Sequence, residues 1–129
     1  MNLKIVQATL LVDDYDKAIE YYTQVLKFRL YEDKKMSETK RWVRIAPEGN
    51  ESFSLLLAKA GDPQQISHIG NQTGGRVFLF LHTDDFDGYF RHLLAHHTEI
   101  ISGPAEQPWG KVAVFRDMYG NLWDLIQPV

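Results

Sequence analysis

Five histidines, two runs of aspartate and one well-placed arginine are the side chains in this 129-residue chain that could do chemistry. His92 and His96 stand four apart, a spacing at which two imidazoles on one helical face hold a divalent metal. His82 follows Phe78 and Phe80 at alternate positions, so the three share one face of a strand. An imidazole there could donate a hydrogen bond, act as a general base near neutral pH or ligate a metal; alternatively it is a solvated strand end beside a helix cap. Trp42 and Arg44 alternate in the same way. Arg44 either clamps a carboxylate or phosphate with its fork of donors or faces solvent. Asp13, Asp14 and Asp16 recur as Asp84, Asp85 and Asp87, each 71 positions later (84 − 13 = 71). These acidic runs lack the glycine and closing glutamate of a calcium-binding EF-hand loop, and helix capping explains them better.

The elements that must position these groups come twice. "LKIVQATLLV" is rich in strand formers and sets Gln7 and Thr9 on one face. Asp13 or Asp14 then caps a helix whose apolar stripe is Ala18, Ile19, Tyr22, Val25 and Leu26. "FRLYEDKKM" reads as an edge strand, "RWVRIAPEGN" as a strand ending in a turn and "SFSLLLAKA" as a buried strand. After a polar, glycine-rich stretch at 61–75 with no sustained period, the order restarts. "RVFLFLHT" is a strand, and Asp84 or Asp85 caps a helix with the stripe Phe86, Tyr89, Phe90, Leu93 and Leu94. Strands in "TEIISGP", "KVAVFRD" and "LWDLIQP" follow, and the turn "MYGN" ending at Asn121 answers "PEGN" ending at Asn50, again 71 apart. The pattern is a duplicated βαβββ module: residues 1–60, a linker or site-covering loop at 61–75, and residues 76–129.

This frame assigns the remaining candidates. His92 and His96 fall away from the second apolar stripe, on the solvated helix face. His97 sits at the helix end, where a cation suits the dipole. His68 lies in the 61–75 loop, within reach of a ligand if that loop folds over a cleft. Trp109, between Pro108 and Gly110, either walls a cavity or packs beneath its loop, and Trp123 alternates with Asp124 toward the core.

Composition narrows the function classes. A 44% hydrophobic, 24% charged chain of net charge −3 is ordinary for a globular domain and gives no electrostatic reason for nucleic-acid binding. The absence of cysteine removes disulfides, thiolate metal sites and cysteine nucleophiles. No apolar run approaches the roughly 20 residues of a membrane span. The first residues read directly into a strand without a signal-cleavage pattern, so a cytoplasmic protein is expected. No nucleophile elbow, P-loop or dinucleotide fingerprint is present.

"LLVDDYDKAIEYYTQVLKF" and "WGKVAVFRDMYGNLWDLIQP" carry a resemblance to the vicinal oxygen chelate superfamily, which includes glyoxalase I, extradiol dioxygenases and bleomycin-resistance proteins. "KRWVRIAP" and "GNQTGGRVFLFLHTDDF" are similar to a bacterial subgroup of small glyoxalase-like proteins. The resemblance implies one α+β domain over residues 1–129. Two βαβββ modules would form a curved mixed sheet with helices outside, and two chains would form a homodimer. In metal-dependent members, the first and last strands of each module supply four ligands to one divalent ion, which stabilises an enediolate or activates oxygen. Here those places fall on Gln7, Ser54 or Leu56, Phe78 and Asp124. One carboxylate and one amide fall short of the roughly three strong ligands of a catalytic metal centre.

No cofactor is therefore expected. The resemblance implies a binder of a small, partly apolar molecule, acting in sequestration or resistance. Its aromatic-lined cavity would use Gln7, Thr9, Trp42, Arg44, Ser54, Leu56, Phe78, Phe80, His82, Trp109 and Asp124. The alternative is a lyase, isomerase or dioxygenase with one divalent ion (zinc, nickel, manganese or iron) on Gln7 and Asp124, helped by His82 or by a residue of a partner subunit.

Overall fold

A computed structural model describes residues 1–129, and the chain divides into two compact units, Met1–Ile69 and Gly70–Val129. In the first, β1 (Gln7–Val12), α1 (Tyr15–Gln24), β2 (Phe28–Lys35), β3 (Arg41–Pro47) and β4 (Ser54–Lys59) are followed by α2 (Pro63–His68). In the second, β5 (Val77–His82), α3 (Phe86–Ala95), β6 (Glu99–Gln107), β7 (Gly110–Arg116) and β8 (Leu122–Pro128) repeat the βαβββ order. The strand orders are β1-β4-β3-β2 and β5-β8-β7-β6. The β1–β4 and β5–β8 pairs are parallel and all others antiparallel. The architecture is the expected α+β class, realised as two mixed four-stranded sheets with three helices.

Both long helices start where the aspartate runs place them, and the second residue of each pair is the cap. Asp14 accepts the Lys17 amide at 2.8 Å, and Asp85 accepts the Gly88 amide at 3.0 Å. Each carboxylate satisfies a backbone donor left without an intrahelical partner. The buried stripe of α1 is Tyr15, Ala18 and Tyr22, continued by Leu26. It lies against β2, β3 and β4, over Val43, Ile45, Leu55 and Leu57, all buried at alternate strand positions. In the second unit Phe86 and Leu93 of α3 share the core with Ala113, Phe115, Trp123 and Leu125, and the Gln127 side chain accepts the Phe86 amide at 2.8 Å.

Three expectations need correction. Residues 61–75 are not all loop: Asp62 caps α2, with Pro63 in its first turn, although none of its residues is buried and no apolar stripe announces it. The first strand begins at Gln7 rather than Leu3, because its partner β4 offers only the rungs from Ser54 to Lys59. Leu94, assigned to the apolar stripe of α3, is 48% exposed.

The β7–β8 turn is built on a buried carboxylate. Asp117 is 4% exposed. Its Oδ1 accepts the amides of Tyr119, Gly120 and Asn121 at 2.9, 3.0 and 3.0 Å. Its Oδ2 accepts the Asn121 side-chain amide and the Trp123 indole N–H, both at 3.0 Å. The desolvated charge is thus surrounded by donors, the condition for burying a carboxylate at tolerable cost.

Candidate functional site

Each sheet has one face under its helix and one face left open, and the side chains that could act on a ligand lie on the open faces. In the first sheet, cross-strand register aligns Thr9, Leu56, Arg44 and Glu32 in one row from β1 to β2. Gln7 and Ser54 form the adjacent rung. Trp42 precedes Arg44 by two residues and so takes the same face. Arg44 does not point to bulk solvent. Its Nε donates to Glu32 at 2.5 Å, its Nη1 to the Ser54 hydroxyl at 3.3 Å, and its Nη2 reaches Glu51 at 3.5 Å. The guanidinium is half-buried and satisfied, and it holds the Glu32 carboxyl below the usual carboxylate range.

The equivalent row of the second sheet is Phe80, Asp124, Val114 and Ser102, from β5 to β6. Phe80 is 66% exposed. Asp124 lies between Phe80 and Val114, so burial pushes its carboxyl above the usual range, with His82 partly opposing the shift through its charge. His82 pairs with Ile126 and stands one rung diagonally from Asp124, bringing an imidazole and a carboxylate together on the open face. Phe78 falls at an irregularity in the β5–β8 register, between the Val77–Leu122 and Leu79–Trp123 pairs.

Trp123 is core, 2% exposed, and stacks with Phe115. Trp109 is 54% exposed in the β6–β7 hairpin turn, five residues from Val114 and beyond the row that contains Asp124. His92 and His96 are ring neighbours, 4.5 Å apart between centroids, and no group of three His, Asp or Glu side chains able to hold a metal includes them. His97 is exposed with φ 60°, just past the end of α3. His68, expected in a loop, belongs to α2, and its Nδ1 lies 2.8 Å from the Gln64 carbonyl.

The register settles which residue of the first module answers Asp124. Phe80 and Thr9 are 71 apart (80 − 9), Asp124 stands opposite Phe80, and Leu56 stands opposite Thr9. The place is leucine. The four places that the resemblance gives to metal ligands would then hold an amide, an alkyl chain, a phenyl ring and one carboxylate. This donor set does not fit a divalent metal centre, which needs about three strong protein ligands.

Sequence reasoning missed a cavity of about 650 Å³ at one end of the first sheet. Its walls are Tyr15, Thr39–Trp42, Leu56–Gly61 and Gln65. Only Trp42 and Leu56 were expected to line a cavity. The others come from a loop, the strand ends and α2, which no local period marks.

The protein class follows from comparison with known proteins. The model of the Glyoxalase/Bleomycin resistance protein/Dioxygenase superfamily matches residues 4–125, and the chain belongs to that superfamily. An uncharacterized protein of Shewanella frigidimarina (strain NCIMB 400) is 51% identical over 128 residues, covering 98% of this chain and 95% of that one. Among solved structures, UcmS2 superposes with a TM-score of 0.83 at 26% identity over 98% of both chains. TnmS3, an antibiotic binding protein from Streptomyces sp. CB03234, does so with a TM-score of 0.78 at 30% identity, over 99% of this chain and 98% of that one.

Proposed function

We propose that this protein binds a small, partly apolar organic molecule on the open faces of its sheets and holds it chemically unchanged, without a catalytic metal, as a sequestering or resistance protein. The observation that carries this reading is Phe80, a large aromatic left 66% exposed in a row with Asp124. Small-molecule sites combine aromatic lining with a few fixed polar groups, and Phe80 with Asp124 and His82 supplies both kinds. The antibiotic-binding description of TnmS3, at 30% identity over nearly the whole chain, supports the same reading. No helix here is long and apolar enough to cross a membrane. The homodimer implied by the family resemblance belongs to this proposal and is checked by light scattering, where a monomer would remove it.

A thermal-shift screen of small aromatic compounds and antibiotics tests the binding. Stabilisers are expected, and Phe80→Asp or Phe78→Asp should abolish their effect; stabilisation that survives both substitutions places the cavity elsewhere. Titration with nickel, zinc, manganese and iron(II) tests the metal-free part. Stoichiometric tight binding that disappears in Gln7→Ala and Asp124→Ala would overturn it. Recovery of a chemically altered ligand after long incubation would instead make the protein an enzyme.

A further inference from the structure

The cavity beside Trp42 has a charge pattern that the open-face rows do not share. Three cationic residues line it, Lys40, Arg41 and Lys59, and no carboxylate does, in a chain whose net charge is −3. Arg41 is already neutralised. Its Nη2 and Nε donate to Asp33 at 2.6 and 3.1 Å, its Nη1 donates to Asp16 at 2.8 Å, and its guanidinium lies over the Tyr15 ring. Lys40 and Lys59 are different: the lysine ion pairs of this unit involve Lys17, Lys34 and Lys35, and neither of these two. Two lysines without an ion pair therefore line a cavity whose apolar wall is Trp42, Leu56, Leu57 and Ala58. Gln65 adds a fixed polar edge, because its side-chain oxygen accepts the Gly61 amide at 2.8 Å and so turns its NH₂ to other partners.

A neighbouring groove shows that this segregation is local. That groove shares Tyr15, Thr39, Arg41 and Lys59 with the cavity, yet it is also lined by Asp14, Asp16, Asp33 and Glu38. An anion entering the groove meets carboxylates; one entering the cavity meets none. About 650 Å³ lies within the usual range for small-ligand sites.

We propose that this cavity is a binding site for an organic anion, with a flat apolar body against Trp42 and Leu56 and a carboxylate, sulfonate or phosphate-type group held by Lys40 and Lys59. Neither Phe78 nor Phe80 lines this cavity, so the assignment is a second site that stands or falls independently of the Phe80-centred reading above. Ammonium groups beside a low-dielectric wall attract an anion more strongly than they would in open water, and added salt weakens that attraction.

Calorimetric titration with 1-naphthoate and with neutral 1-naphthalenemethanol tests it directly. Naphthoate is expected to bind roughly tenfold more tightly or better, with its advantage shrinking as salt rises from about 20 to about 300 mM. The double variant Lys40→Gln/Lys59→Gln, both at exposed positions, should retain the neutral compound's affinity and lose the preference for naphthoate. Equal binding of the two probes, no binding of naphthoate, or a preference that survives the double variant would each overturn the proposal. The broader reading fails separately: it stands if neutral compounds stabilise the protein in a Phe80-dependent way, and falls if no compound does.

Discussion

Thr9, Leu56, Arg44 and Glu32 cross the first sheet where Phe80, Asp124, Val114 and Ser102 cross the second. The backbone treats the two rows as copies. Their chemistry is inverted. The first row carries an apolar residue where the second has a carboxylate, and an ion pair where the second has a valine and a serine. In the first row each charge has a partner close by; in the second, the carboxylate stands between two apolar residues in register, with His82 the charge that acts on it. The lesson is that duplication preserved what the helix side requires, alternate buried apolar residues and an aspartate cap, while the open face diverged position by position. A ligand on the first open face therefore meets different chemistry from a ligand on the second.

The largest difference between the modules to test lies at the β-turns. Asp117 occupies the position 71 residues after Ala46 (117 − 46), and both are buried, at 4% and 1% exposure. Asp117→Ala removes the side-chain acceptor of the Trp123 indole, the Asn121 side-chain amide and the Tyr119 and Asn121 backbone N–H groups, while Gly120 N–H keeps the Asp117 carbonyl. A loss on the order of 3 kcal/mol, roughly 10 °C in Tm, is expected. At the matching first-module turn, Asn50→Ala should stay within about 0.5 kcal/mol, because that residue is exposed. Thermal unfolding of both variants checks the contrast, and equal losses would mean that the two turns are equivalent after all.

A middle-sized effect is expected from exchanging the row positions that differ most. Leu56→Asp should cost about 1–2 kcal/mol, limited by the Arg44 guanidinium across the strand pair. Asp124→Leu should raise Tm by a few degrees at neutral pH. The sign follows from the raised pKa of Asp124. The folded state keeps that proton to a higher pH than the unfolded state does, whose carboxyl titrates near 3.9. The contribution is therefore favourable in acid and is lost as pH rises from about 3.9 through the higher folded value. A pH series of melts should show this loss in the parent and not in Asp124→Leu; identical profiles would place the Asp124 carboxyl in water.

The smallest effects test what the modules share. Asp14→Ala and Asp85→Ala should each cost about 1 kcal/mol, since each removes one cap. Asp13→Ala and Asp84→Ala should stay below about 0.5 kcal/mol. If the first residue of either pair mattered more than the second, the parallel between the helix starts would break.

Much of this fold is legible locally. Capping, strand alternation and the recurring Gly-Asn turn depend on residues a few positions apart, so the element order and the shared faces of Trp42 with Arg44 and Phe80 with His82 can be read from the chain itself. What is not legible depends on pairing between distant segments. The Arg44–Glu32 contact needs the register of β2 against β3, which shifts between Leu30 and Glu32. The identity of Leu56 as the counterpart of Asp124 needs the β1–β4 and β5–β8 registers together. Helix α2 escapes because all six of its residues are exposed, leaving no apolar period to detect. The cation-lined cavity escapes because its lysines become neighbours only after the strands are paired.

The Asp117 turn has a kinetic consequence. Three successive amides, those of Tyr119, Gly120 and Asn121, donate to one carboxylate oxygen, and the other oxygen takes the indole of a core tryptophan. Because these donors share one buried carboxylate, displacing it would expose all of their protons together. The segment, although it is a connecting turn, should exchange its amide protons as one unit, at a rate set by the opening of the sheet that contains Trp123.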